Sequence, residues 1–255
     1  MTPAQGAAGL DTPPPPITDL LARLRSNDAA TLQRLARLVD GLLETAGRLN
    51  LTGDRTAELF WPRHVEDGLR ALERVEQRLG RLGDIPTAGP VLDVGSGAGL
   101  PGLVWAAVRP RAAIDLLDAR ARRCRFLQQM AERLELANVR VHKGRAEDLA
   151  HRPELRERYG LVVARALAPM AVLAELTLPF ARSNGAVAAI KSADIDQELA
   201  AATGAVRRTG GETIERLPYT RSDGKACCLL WLRRHGAVPD GLPRRSGTPA
   251  RRPLR

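Results

Sequence analysis

Lysine is scarce in this chain: Lys143, Lys191 and Lys225 are the only three among 39 basic residues, and arginine supplies the rest. The formal net charge of +10 favours polyanionic partners through counterion release. Arginine beside abundant alanine, glycine and proline also reflects codon usage, so the charge supports an RNA partner without establishing one. Aromatic residues make up only 3% of the chain, so stacking on nucleobases would fall to arginine planes. The three cysteines, Cys124, Cys227 and Cys228, are odd in number and lack metal-ligand spacing. That excludes a disulfide framework and a structural zinc site, and no metal is expected. No apolar run approaches the roughly 18 residues of a membrane span. Residues 1–16 lack the basic start and apolar core of a secretory signal, so a cytoplasmic protein without membrane attachment is expected.

What is present suits one α/β domain with an appendage: 255 residues, 44% hydrophobic and 27% charged. Residues 1–16, ending in Pro13 to Pro16, have no apolar period and read as a flexible tail. Residues 17–82 read as an N-terminal helical cap. Leu20, Leu21 and Leu24, then Leu32, Leu35, Leu38, Val39, Leu42 and Leu43, recur at three and four residues, and Asp28 is placed to cap the second helix. After a break at Asn50-Leu51-Thr52-Gly53, the run from Trp61 leads into another amphipathic helix reaching about Leu79. Arg63, His64 and Asp67 share one turn there, either lining a ligand cleft or holding the cap to the core as a charge cluster.

Residues 83–235 alternate between strand and helix. Strands are expected near 90–94, 113–118, 139–142, 161–165 and 185–190, with helices near 101–108, 121–136, 170–181 and 194–202. Crossovers of that length imply parallel pairing, and candidate strands at 205–209 and 226–233 suit antiparallel additions at one edge. Residues 236–255, arginines among prolines, read as a disordered basic tail.

The chain is organised around PVLDVGSGAGLPG, from Pro90 to Gly102. An apolar strand runs into Gly95, Gly97 and Gly99, and a helical pattern starts at Leu100. Such a junction lets the backbone of Gly95 and Gly97 approach a ligand and offers free N–H groups to an adenosine-type cofactor. A nicotinamide fingerprint would put its third glycine at position 100, which is leucine. The acid, then Gly-x-Gly-x-Gly, instead resembles the first motif of the S-adenosylmethionine (SAM) methyltransferases, and the bland alternative is a tight turn without a ligand. Asp118 ends the second strand, nineteen residues beyond Gly99, where a carboxylate accepts from both hydroxyls of a ribose. Lys143 to Asp148 follow the third strand, where an adenine would lie; the same residues would also make a capped turn before a short helix. Strand four ends in Arg165 and lacks the Asn-Pro-Pro-Tyr-like motif of exocyclic-amine methylation, which points to a nucleophile needing little deprotonation.

Taken in order, these segments resemble the RsmG/GidB family, bacterial methyltransferases of a guanine N7 in 16S ribosomal RNA. The matching pieces are Asn50-Leu51-Thr52, Arg63-His64 with Asp67, the DVGSGAGLPG run, Leu116-Leu117-Asp118, Arg122 to Leu127, Arg145-Ala146-Glu147, Arg165-Ala166, Lys191 and Asp223-Gly224. The likeness spans roughly residues 30–234. It implies a class I SAM-methyltransferase fold, a Rossmann-like mixed sheet under the helical cap. It also implies SAM contacts from Gly95, Leu100, Ala146, Glu147 and Arg165, to which the ribose argument adds Asp118. Ala119, Arg122 and Ser192 stand where the family often has serine, lysine and glycine, which bears on RNA contact more than on the cofactor. The resemblance implies attack by guanine N7 on the SAM methyl. That lone pair carries no proton, so no general base is required; His64 and Asp67 are the only weak candidates for one. Arg123, Arg165 and Lys191 are the expected RNA contacts, with Arg123 equally readable as a solvated helix face. The implied partner is 16S ribosomal RNA or the small ribosomal subunit; the sequence does not fix the oligomeric state, and a monomer is favoured. The alternatives are SAM-dependent methylation of another RNA site or of a small molecule, and a binding module without turnover.

Overall fold

A computed structural model describes residues 13–49, 53–83 and 89–255. The Asn50-Leu51-Thr52 motif and the first twelve residues of the expected tail lie outside them. The cap begins with α1 (Pro15–Arg23), whose two opening prolines lie inside the segment expected to be flexible. Proline is pre-set for the first helical turn and gives up an N–H that would have no partner there, so the proline run starts the helix. Helix α2 (Ala29–Leu49) follows the expected cap: the Asp28 carboxylate accepts from the Thr31 N–H at 2.9 Å and from the Thr31 hydroxyl at 2.8 Å. Next come α3 (Ala57–Phe60), a π-helical segment over Trp61–Glu66, and α4 (Asp67–Leu79). Pro62 lacks the N–H of a regular turn, and the chain widens there.

The sheet contains β1 (Val91–Val94), β2 (Ile114–Asp118), β3 (Val139–Lys143), β4 (Tyr159–Arg165), β5 (Ala181–Ser192), β6 (Gly211–Thr220) and β7 (Ala226–Arg234). Its order is β3-β2-β1-β4-β5-β7-β6, the first five strands parallel and β7 antiparallel to both neighbours. Helices α5 (Gly102–Val108), α6 (Ala121–Arg133), α7 (Ala146–Leu149), α8 (Met170–Thr177) and α9 (Asp196–Arg208) connect the strands, and α10 (Thr248–Arg251) closes the chain. Side chains alternate between two cores even where the strands are buried on both faces. Val91, Ile114, Leu116, Leu161 and Val163 share one cluster with cap residues such as Leu38, Leu69 and Leu72. Leu92, Val94, Leu117 and Val162 pack with α8 and α9 on the other face. The cap therefore has no core of its own. Arg109 fastens it: buried after α5, its guanidinium makes two 2.5 Å bonds to Glu76 of α4, bonds the Ser26 hydroxyl and reaches the Leu24 carbonyl at 3.1 Å.

Three segments depart from expectation. The 205–209 strand is the last turn of α9, because Ala202, Ala205 and Val206 continue the helical period; Gly210, at φ +77°, ends it, and the strand starts at Gly211. Pro218 masks β6 in sequence and is tolerated because β6 is an edge strand. Helix α8 also stops short of the expected 181, giving way to a 3-10 turn at Leu178–Phe180 around Pro179. The basic segment 236–255, read as disordered, is packed against the domain: Val238, Pro249 and Leu254 are buried, and Arg244 forms an ion pair with Glu175. Its composition hid this, because the partners of its few anchoring residues are supplied by helices far away in sequence.

Candidate functional site

The strand order reverses between β1 and β4, which opens a crevice at their carboxyl ends. A pocket of about 310 Å³ lies there, lined by Gly95, Asp118, Arg123, Ala146, Glu147 and Leu167 among others. Gly95 sits at φ +73°, and a Cβ added to it would come within 2.5 Å of Leu167 Cδ1, so the pocket depends on glycine there. Five of the loop's N–H groups are engaged rather than free as expected. Those of Gly95 and Ser96 go to the Leu117 carbonyl, that of Gly97 to Asp118 Oδ2 at 3.1 Å, and those of Gly99 and Leu100 to the Ser96 carbonyl. The helix start is also engaged, with the Gly102 N–H on Asp93 Oδ2 at 3.0 Å. The loop thus offers mainly room, with most of its donors already engaged. Burial pushes the Asp93 carboxyl up to about 7, while the Gly102 N–H and the positive Arg165 pull the other way.

Donors and acceptors come instead from the neighbouring strand ends. Asp118 accepts from the Arg120 N–H at 2.8 Å as well as from Gly97, and Arg123 Nη1 lies 3.4 Å away. The buried Arg123 Nε has no hydrogen-bond partner, an unsatisfied donor on the pocket wall. Glu147 is 4% exposed. Burial pushes its carboxyl up, but the Arg145 guanidinium and the Gly247 N–H outweigh that and hold it below the usual range. This donor set suits a nucleoside with hydroxyl groups at Asp118 and an acceptor near Arg123. Gly97 supports the site by holding Asp118, whereas Leu100 is buried in the core cluster.

A second, open cleft of about 600 Å³ is lined by Asp54, Arg63, His64, Arg165, Arg221, Asp223, Gly224 and Lys225. The π-helical turn supplies Arg63 and His64, and the β6–β7 turn supplies Arg221 to Lys225. That turn reaches the same edge as Arg165 because Thr220 pairs with Ala226, Ser192 with Cys227 and Arg165 with Ile190. Arg165 is fixed from three sides. Its Nε lies 3.0 Å from Asp67 Oδ2, and its Nη2 donates to the Arg63 carbonyl at 2.8 Å and to His64 Nδ1 at 3.0 Å. An arginine only donates, so His64 Nδ1 is the acceptor and its proton sits on Nε2, which donates to Asp54 Oδ2 at 2.8 Å. Burial and the nearby Arg165 charge push the His64 pKa down to about 4, so the ring is neutral at pH 7. Asp67 is also committed, its Oδ1 accepting from the Tyr219 hydroxyl at 2.8 Å.

Pocket and cleft share one wall. Arg165 faces the cleft, and Ala166 and Leu167, the next two residues, line the pocket. Ala166 makes the turn at φ +50°, a conformation unfavourable for a residue with a Cβ and one that recurs at functional sites. The residues expected from sequence thus divide. Gly95, Asp118, Arg123, Ala146 and Glu147 meet in the pocket, so Arg123 stands in the glycine-loop pocket rather than in the open cleft. His64 and Arg165 meet in the cleft with Asp67 behind them. Lys191 lines neither hollow: its amine is 2.6 Å from Glu198 and donates to the Ala168 carbonyl. Sequence reasoning does not single out Arg221 and Lys225, although they flank the Asp223-Gly224 turn to which the resemblance points. A further hollow of about 710 Å³ lies between α9 and the start of β6, at the opposite edge of the sheet.

The fold is that of the class I SAM-dependent methyltransferases. It superposes on an O-methyltransferase from Bacillus cereus, solved in complex with SAH, over 77% of this chain and 90% of that one, with a TM-score of 0.53 at 16% identity. At the level of family, residues 31–217 match the model described as rRNA small subunit methyltransferase G, and the chain belongs to that family. It is 36% identical over 223 residues to the ribosomal RNA small subunit methyltransferase G of Symbiobacterium thermophilum, covering 85% of this chain and 87% of the relative. It is 33% identical over 246 residues to that of Halalkalibacterium halodurans, covering 93% and 99%. Among the described residues no helix is long and apolar enough to cross a membrane, and no cluster of metal-ligating side chains is found.

Proposed function

We propose that this protein transfers the methyl group of SAM to N7 of a guanine in 16S ribosomal RNA, acting as a monomer in the cytoplasm on the RNA or on the small subunit that contains it. The observation that carries the reading is the shared wall at Arg165–Leu167, which sets a nucleoside-sized pocket back to back with a basic cleft. Gly95, Asp118, Arg123, Ala146 and Glu147 would hold SAM, with Gly97 fixing Asp118. Bound there, SAM supplies an electrophilic methyl group on sulfur.

The cleft fits the other reactant. Arg63, Arg165, Arg221 and Lys225 outnumber Asp54 and Asp223, leaving a positive surface for a phosphate backbone. Arg165 cannot swing, because Asp67, His64 and the Arg63 carbonyl hold its plane. A guanidinium carries five N–H donors, so Arg165, lining the cleft, would present its remaining N–H groups to an acceptor on the guanine. Both ring nitrogens of His64 and both carboxylate oxygens of Asp67 are engaged, so neither is a free base. That suits guanine N7, whose lone pair attacks without losing a proton. Catalysis then rests on positioning the two reactants, to which a rigid wall between them contributes directly.

The test is transfer of labelled methyl from SAM to small subunits and to protein-free 16S RNA in parallel, with borohydride and aniline cleavage mapping the modified guanine. Ribosomal RNA from cells lacking the protein should lose one cleavage site. An unchanged cleavage pattern refutes the proposal.

A further inference from the structure

Neither hollow absorbs the C-terminal segment, which lies beyond the residues matched by the family model. It is nevertheless bonded residue by residue. Arg156 donates to the carbonyls of Leu242 at 2.8 Å and Val238 at 3.1 Å, and His151 Nε2 donates to that of Pro243 at 2.8 Å. Arg244 then grips Glu175 of α8, a fully buried carboxylate. Its Nε reaches Oε1 at 2.8 Å, its Nη2 reaches Oε2 at 2.7 Å, and its backbone N–H adds a third bond at 2.8 Å. Ser246 donates to Asp148 Oδ1 at 2.7 Å and the Gly247 N–H to Glu147 Oε1 at 2.9 Å. At its end the chain packs on α9, where a Cβ on Gly204 would lie 2.4 Å from the Arg255 carbonyl carbon.

These anchors join two walls of one pocket. Glu147 lines the glycine-loop pocket on α7, and Leu176, the residue after Glu175, lines it on α8. Four residues, Arg244 to Gly247, bridge from one to the other. We infer that this segment is a strap that positions the α7 wall against the α8 wall and thereby sets the affinity for SAM. The inference rests on the reading of that pocket as the SAM site. Arg244, Ser246 and Gly247 are positioning residues: they hold Glu147, Asp148 and Glu175 and do not line the pocket themselves. The charge-assisted bonds involved are of the stronger kind, so their loss should be read directly in binding.

Three forms of the protein test this: the intact chain, a chain ending at Pro243, and the Arg244→Gln/Glu175→Gln double variant, which replaces the ion pair with neutral amides. SAM and S-adenosylhomocysteine binding are measured by calorimetry, and methyl transfer to small subunits at saturating and limiting SAM. The shortened chain should lose about tenfold in SAM affinity, seen equally as a raised KM for SAM. The double variant should lose about threefold, on the same scale. In both, kcat at saturating SAM and KM for RNA should stay close to those of the intact chain. Unchanged SAM affinity in a folded shortened chain, or in the double variant if the shortened chain does not fold, overturns the strap alone. A raised KM for RNA with SAM affinity intact also overturns it and makes the segment an RNA arm. An intact chain that binds no SAM overturns the pocket reading, and the strap with it.

Discussion

His64 and Asp93 give this protein two pH dependences of opposite sign, and single variants should separate them. Folding moves the His64 pKa from 6.5 down to about 4, burial being the largest cause. Between those values the unfolded chain binds the extra proton, so the stabilisation is present at neutral pH and is lost as pH falls through the window. From pH 7 to pH 4.5 the loss is about 2 kcal/mol. Asp93 is 1% exposed, and burial raises its pKa from 3.8 to about 7. Here the folded state holds the extra proton, so stability rises as pH falls, by about 3 kcal/mol over the same interval. In the parent protein the two largely offset each other. Asp93→Asn keeps an acceptor for the Gly102 N–H and removes the rising contribution, so this variant should become acid-sensitive relative to the parent by about 3 kcal/mol. His64→Gln should become acid-resistant by about 2 kcal/mol, and the double variant should return to the parent's slope. The assay is urea unfolding at pH 7 and pH 4.5, read as the change in free energy for each variant against the parent so that all other carboxylates cancel. Slopes of both single variants parallel to the parent's would refute the reasoning.

Other substitutions address the site directly. Gly95→Asp places a side chain at φ +73° against Leu167; calorimetry should find no SAM binding, at a backbone cost of about 1–2 kcal/mol that leaves the fold standing in circular dichroism. Arg165→Lys keeps the charge and loses the fork that Asp67 and His64 hold, so methyl transfer should fall by roughly one to two orders of magnitude in a steady-state assay. Arg221→Ala and Lys225→Ala should each weaken RNA binding and shallow its log–log salt dependence by about 0.7 for every phosphate no longer neutralised, with SAM binding unchanged.

How much of this was legible in the sequence follows from the range of the forces involved. Strand, glycine loop and helix around Asp93 are written in a few adjacent residues, because backbone conformation and burial period are local properties. The parallel pairing of the strands and the placing of Asp118 and Glu147 at or just beyond their carboxyl ends followed from the same local patterns, motif likeness carried the family, and the order of the strands across the sheet came only with the structure. The strand expected at 205–209 falls within α9, because Ala202, Ala205 and Val206 extend that helix through residues that also suit a strand, whereas the strand expected at 226–233 stands as β7. Only the tertiary structure decided which charges work together. Arg165 meets His64 from 101 residues away and Tyr219 meets Asp67 from 152, so no spacing in the sequence could choose these partners among so many arginines and acids. The same holds for the C-terminal segment, whose composition reads as disorder until Glu147, Asp148 and Glu175 are brought beneath it. Local sequence set the elements and their glycine loop; long-range ion pairing, which needs the folded geometry before it exists, set the cleft and the packing of the C-terminal segment.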